Sequence, residues 1–375
     1  MNVRQDCLPP QMRQEPKPFT AWGSLRSGSL RPLIVVSFIG LILFLSAALA
    51  HGQEGQPLDT IKIDTNLISV PVIVSDHQGR YLPGLGAPDF RLYDNGIEQK
   101  ISFFDAADEP LNILLLLDTS RSTQGVLDDI RKAAKSFLKE LRPQDRAMIV
   151  TFDYAIQKLS PLTNDRKILE TAIKHAEVGE YFGTLLNDAV METTTEVLQP
   201  ITGRKAIILL TDGEDAGSHV RPAELISAAA EADAMIYSIY YEPSIPRLFG
   251  PSRFPFPRRR GPIFRRRGRF FTELAPPQRP DPGQRRERQK ERREEAQEFL
   301  TKLSEVTGGR FYRSKATDLK KTFALVADEL RYQYRLGFYP EKIGQDGSLH
   351  SLKVQVDRPD VAIRSRYQYR TKQPK

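Results

Sequence analysis

Four apolar runs, at 113–117, 147–152, 206–210 and 235–240, recur between segments of helical length near 124–141, 165–177, 184–198 and 221–233. Strands separated by helices of that length predict βαβ units, and hence a mostly parallel sheet covered on both faces. The first run, Ile113-Leu114-Leu115-Leu116-Leu117, has no polar alternate. A central strand buried on both faces reads this way.

On either side of this alternation the pattern is β. Over 61–104, Val70, Val72 and Val74 alternate with Ser69, Pro71 and Ile73. The turn signals there are Asp76-His77-Gln78-Gly79 and Asp94-Asn95-Gly96, the second a strong hairpin turn. Pro71 cannot donate to a ladder and predicts an edge strand. After a helical stretch at 287–305, Gly308-Gly309, a short strand at 310–313 and a helix at 319–331, three strand-like segments follow at 334–339, 349–356 and 361–367. Neither β half can stand alone. The expected architecture is therefore α/β: a doubly wound, mostly parallel sheet at 108–333. It is bracketed by a small β domain in which 334–371 pairs with 57–107.

The N-terminal 31 residues carry Arg4, Arg13, Lys17, Arg26 and Arg31 against Asp6 and Glu15, and LIVVSFIGLILFLSAALA (33–50) has no charge. Residues 1–50 read as a secretory signal peptide, cut just after Ala50 or a few residues later. An uncleaved membrane anchor is the rival, since such a run is just long enough to span a bilayer. Either way the expectation is export, to the periplasm, the cell surface or the medium. The single cysteine, Cys7, precedes the apolar run, so the mature chain would hold neither disulfides nor thiolate metal sites. Hydrophobic residues at 40% and charged ones at 27% are ordinary for a folded soluble body.

Asp118 closes the first apolar run and is followed by Thr119, Ser120, Arg121, Ser122 and Thr123. Open α/β sheets place ligands at the carboxyl ends of their strands. Ser120 and Ser122 are spaced so that a loop bending over the strand end aims both hydroxyls at one point. A carboxylate with hydroxyls is a hard-oxygen set, suited to Mg²⁺, Mn²⁺ or Ca²⁺. The run at 206–210 leads into Thr211-Asp212-Gly213 in the same way, and Gly183-Thr184 puts a hydroxyl at the start of a helical segment. Read alone, the serines after Asp118 are equally a turn or a helix cap.

DTSRS (118–122), Thr184 after a glycine, and TDG (211–213) closing a later strand resemble the von Willebrand factor type A domain with its metal-ion-dependent adhesion site. LGAPDFRLYDNG, TGGRFY and the closing LHSLKVQVDRPDVAIRSRYQYR are similar to the secreted von Willebrand-related proteins of Acidobacteria. The resemblance spans roughly 60–370. It implies a metal held by Asp118, Ser120, Ser122, Thr184 and Asp212, with one coordination position left for an acidic side chain of a protein partner. Relatives often carry glycines where Tyr181 and Phe182 stand here.

The competing reading is a metal-dependent phosphoryl-transfer hydrolase, with Asp118 as nucleophile. Those enzymes usually need a second acid two residues on, where this chain has Ser120. It also lacks a GxxxxGK loop and a GxSxG elbow, and its five histidines are scattered singly. The expectation is a binding protein, not an enzyme. The segment 243–286 is rich in proline and arginine, including Arg258, Arg259, Arg260, Arg265, Arg266 and Arg267. It reads as a disordered insertion, with contact to an anionic envelope polymer or lipid as the functional alternative. Export makes nucleic acid a poor candidate partner, and membrane contact would follow from an uncleaved N-terminal segment.

Overall fold

The computed structural model describes residues 67–242, 282–340 and 348–371. The N-terminal segment and most of the arginine-rich insertion, with all six arginines named above, lie outside the described residues.

The strands, in chain order, are β1 (Ile68–Asp76), β2 (Phe90–Asp94), β3 (Ile97–Gln99), β4 (Phe103–Asp105), β5 (Leu111–Asp118), β6 (Arg146–Phe152) and β7 (Ile156–Lys158). They continue as β8 (Arg204–Thr211), β9 (Met235–Tyr241), β10 (Phe311–Ser314), β11 (Tyr334–Phe338), β12 (Leu349–Val356), β13 (Val361–Ser365) and β14 (Gln368–Arg370). The helices are α1 (Leu127–Glu140), α2 (Arg166–Lys174), α3 (Leu186–Glu192), which runs on into a π-helical turn (Thr193–Val197), α4 (Pro222–Glu231), α5 (Pro282–Val306) and α6 (Leu319–Arg331).

A six-stranded sheet in the order β10-β9-β8-β5-β6-β7 forms the centre, parallel throughout except for β7. β5 explains its own composition. Ile113, Leu115 and Leu117 face one core with Ile130 and Phe137 of α1, Ile173 of α2 and Phe323 of α6. Leu114 and Leu116 face the opposite core with Val190 of α3, Leu225 of α4 and Leu303 of α5. Every position of β5 is buried, so no residue alternates to solvent.

The flanking strands form two four-stranded sheets, β13-β1-β11-β4 and β14-β12-β2-β3. Val70, Val72, Leu336 and Phe338 of the first share one buried cluster with Phe90, Leu92, Leu352 and Tyr369 of the second. This is a sandwich built from both ends of the described chain. Asn95 and Gly96, both at positive φ, make the tight β2–β3 hairpin that the Asp-Asn-Gly signal requires.

β1 corrects one expectation. It is not an edge strand, because β11 pairs with 68–72 and β13 with 72–76. The two neighbours are staggered, so Pro71 lies in the half that is paired on one side only. The missing donor is tolerated there. Both faces of β1 are buried: its valines enter the sandwich core, while Ile73 joins the core of the α/β body. A second difference is the start of α5 at Pro282, inside the stretch that composition assigns to the insertion. The sequence QRRERQKERREE is made of good helix formers and carries the Lys290–Glu294 pair one turn apart.

Candidate metal centre

Asp118 ends β5, fully buried, and its carboxylate is held at both oxygens. Oδ1 accepts from the Ser120 hydroxyl at 2.6 Å and from the Ser120 N–H at 2.9 Å. Oδ2 accepts from the Thr211 hydroxyl at 2.8 Å, and that hydroxyl in turn accepts from the Gly213 N–H at 2.9 Å. The Ser120 and Ser122 hydroxyls lie 2.9 Å apart. The helix-cap reading of this loop does not hold. Ser120 and Thr123 support a short 3₁₀ turn at Arg121–Gly125, and α1 follows with Val126 at its N-cap and no side-chain cap.

Asp212 follows β8 on the adjacent strand end. One oxygen accepts from the Glu214 N–H at 3.1 Å, and the other, Oδ2, is buried with no hydrogen-bond partner. Burial raises the Asp212 pKa, against the pull of the Ser122 hydroxyl, the Glu214 N–H and the Arg293 charge. Burial, and then the neighbouring Asp212 charge, push Asp118 up to about 7. Two carboxylates thus share a buried space furnished with hydroxyls.

Thr184 is buried at the third loop, just before α3. No side-chain hydrogen bond joins it to the aspartates, but its carbonyl accepts from the Ala216 N–H at 3.0 Å, which ties this loop to the one carrying Asp212. Gly183 before it has φ +132, and a Cβ there would press on the Ala216 carbonyl at 3.3 Å. A glycine is the residue that lets these two loops approach. Asp215 is exposed but not merely solvated, since it accepts from the Asn187 N–H at 2.9 Å and fixes the start of α3.

Two contributors lie outside the five implied ligands. Thr211 looks like the last residue of an apolar strand, yet its hydroxyl braces Asp118. Asp153, after β6, accepts from the Thr119 hydroxyl at 3.1 Å, while its carbonyl accepts from the Leu185 N–H at 2.8 Å. It locks the first loop to the third. Its signal was available, since Asp153 closes an apolar run at the same edge of the sheet as Asp118 and Asp212.

α5 passes alongside, with Arg292 and Arg293 lining the same small recess as Asp212, Glu214 and Tyr240. Gly213 sits beneath it at φ +78, and a Cβ there would lie 2.8 Å from the Ala296 Cβ. Gly213→Ala is expected to cost about 1–2 kcal/mol from the left-handed backbone alone. Chemical denaturation of the variant measures it, and an unchanged midpoint would show that the loop relaxes freely.

Residues 113–214, from β5 through the loop that bears Asp212, match the von Willebrand factor type A domain. The α/β body of this chain has a von Willebrand factor type A-like fold, a mixed and mostly parallel sheet between helices. Similar solved structures include proximal thread matrix protein 1 from the mussel byssus with a zinc-occupied MIDAS motif, at 16% identity, covering 64% of this chain and 50% of that one with a TM-score of 0.43. The conserved hypothetical protein BatB from Bacteroides thetaiotaomicron is similar at 19% identity, covering 59% of this chain and 97% of that one with a TM-score of 0.39. The vWF domain of the type V pili tip protein Mfa5 from Porphyromonas gingivalis is similar at 12% identity, covering 58% of this chain and 94% of that one with a TM-score of 0.37. The chain spans about half the length of the mussel protein. No curated protein matches it.

Proposed function

We propose that this chain is an exported, divalent-cation-dependent protein-binding module, an adhesion or scaffold component that captures an acidic side chain of its partner through the metal. Asp118, Ser120, Ser122, Thr184 and Asp212 would hold Mg²⁺, or Mn²⁺ or Ca²⁺ in its place. The observation that carries this reading is the buried, partnerless Oδ2 of Asp212 beside the buried Asp118 and the paired serine hydroxyls. Burying two carboxylates side by side is costly, and a hard cation offsets that cost. Among the described residues no three His, Asp or Glu side chains form a metal cluster, so hydroxyls must complete the set. When bound, the cation supplies a Lewis-acidic position that exchanges water for a carboxylate.

Against catalysis stands the position two residues beyond Asp118. A phosphoryl-transfer enzyme would place its second acid there, whereas Ser120 donates to Asp118. Saturating Mg²⁺ or Mn²⁺ is expected to raise the melting temperature of the wild type by about 5–10 °C, as mass action at 100-fold over the dissociation constant would give. Asp118→Ala and Asp212→Ala should show no rise. Equal shifts in all three proteins would remove the metal assignment, and a metal-dependent phosphatase activity lost in Asp118→Ala would favour the hydrolase.

A further inference from the structure

Three of the four most exposed large apolar side chains among the described residues stand together: Phe182 at 82%, Tyr181 at 68% and Tyr154 at 59% exposure. They come from the loops after β6 and before α3, at the edge of the sheet that carries Asp118, Asp212 and Thr184. None belongs to a core cluster or packs against one. The fold does not need them where they are.

They are nonetheless ordered against one another. The Tyr154 and Tyr181 rings pack at 5.7 Å between centroids, inclined by 45°. Tyr154 also lies beside Gly183, where an added Cβ would meet its ring edge at 3.4 Å. From the loop of Ser120 and Ser122, Arg121 lays its guanidinium 4.4 Å from the centre of the Phe182 ring. Arg121 makes no ion pair among the described residues, so its N–H fork stays available while the ring holds the plane. The result is a patch of three aromatic faces and one pre-oriented guanidinium, spread over three loops beside the candidate metal centre. Leaving large rings in water is unfavourable and marks contact surfaces. Tyr and Arg are also the side chains that most often dominate binding energy.

We infer that Tyr154, Tyr181, Phe182 and Arg121 form the specificity surface for the partner. The occupant is a protein segment whose aspartate or glutamate reaches the cation while apolar or aromatic neighbours lie on the rings and a second carboxylate meets Arg121. This inference rests on the metal-dependent binding reading above. Charge complementarity selects the occupant, since the cation and the guanidinium both ask for carboxylates. The rings between them ask for apolar surface. A strongly acidic polymer without apolar groups would satisfy only half of this patch.

The test is an array of short peptides with a central aspartate, each residue type in turn occupying the flanking positions, probed with the full chain in Mg²⁺ and in chelator. Wild type should bind peptides with aromatic or aliphatic flanks about tenfold or more tightly than those with glycine flanks. Tyr181→Ser with Phe182→Ser should lose that preference, and Arg121→Gln should lose any gain from a second acidic residue. The melting-temperature rise with Mg²⁺ reports in parallel that the centre is intact in each variant. Binding that needs the cation but ignores the flanks overturns the specificity surface and keeps the metal reading. Binding that follows the flanks but persists in chelator keeps the aromatic surface and overturns the metal reading. No binding to any peptide, or a wild-type dimer that the double variant dissolves, also overturns the proposal, the latter because the patch would be holding a second copy of the chain.

Discussion

Glu329→Ala is expected to destabilise the protein by about 3–5 kcal/mol, the usual cost of removing one partner from a buried ionic network. Glu329 lies on α6 with no exposed surface, yet it faces both parts of the molecule. From the sandwich side, the Tyr81 hydroxyl donates to it at 3.0 Å and Arg364 of β13 pairs with its other oxygen. From the α/β side, the Tyr312 hydroxyl approaches at 3.4 Å and the Arg310 guanidinium at 3.7 Å. Burial, followed by the Glu329 charge, raises the Tyr81 pKa, so Tyr81 remains a donor at any physiological pH. Truncating Glu329 removes a partner from two guanidinium groups, one of them the half-exposed Arg310, and from two hydroxyls at once. Glu329→Gln retains the shape and an acceptor and should cost less, while still leaving both arginines without a counter-charge. Urea unfolding of the two variants gives the comparison, and a loss under about 1 kcal/mol for the alanine variant would mean that water replaces the carboxylate at this joint.

Asp118→Asn should have the opposite sign in the metal-free protein. The Asp118 pKa lies at about 7 in the fold against an ordinary 3.8, because burial and the Asp212 charge disfavour ionisation. A group whose pKa is raised by folding contributes stability that is present below the unfolded value and is lost as pH climbs through the folded one. In chelator, then, wild-type stability should fall between about pH 4 and pH 7. The asparagine variant should lose the Asp118 share of that slope, keeping what the buried Asp212 contributes, and be more stable at neutral pH, on the order of 2–4 kcal/mol before the loss of an ideal acceptor for Thr211 is offset. It should also lose the response to Mg²⁺. Denaturation midpoints across pH in chelator decide the matter; a variant less stable than wild type at neutral pH would show that the carboxylate is already compensated without metal. The expected pattern is that of a site kept costly for the sake of binding.

The fold class was legible because β5 is covered on both faces and so could not hide its leucines behind a polar alternation. Asp118 and Asp212 were legible for a related reason. Each interrupts an apolar run at its carboxyl end, where a charge has no packing role. Asp153 satisfies the same rule but lacks a motif of hydroxyls behind it, and its contribution is visible only once Thr119 and Leu185 are brought to it. Thr211 was visible in the TDG motif but not as a contributor, because only the fold brings its hydroxyl to Asp118. Pro71 misled because sequence does not show that the two neighbours of β1 are staggered. The pairing of Phe182 with Arg121 is likewise a matter of loop geometry that no periodicity encodes.

The sandwich has a consequence for the order in which the chain can fold. Its first four strands leave the ribosome, and cross any membrane, long before β11 to β14 exist to pair with them. More than 200 residues separate Pro71 from its register partner Arg335. Contacts of such separation form late and slowly. Until then β1 offers open ladder edges on both sides, and its run of valines is an invitation to pair with the wrong chain. The α/β body, whose parallel strands come in one continuous stretch, can collapse first and bring the two distant β segments together at its base. Pro71 then gains a second meaning: in the waiting strand it blocks one edge against a stray partner, until the staggered arrival of β11 and β13 makes that protection unnecessary.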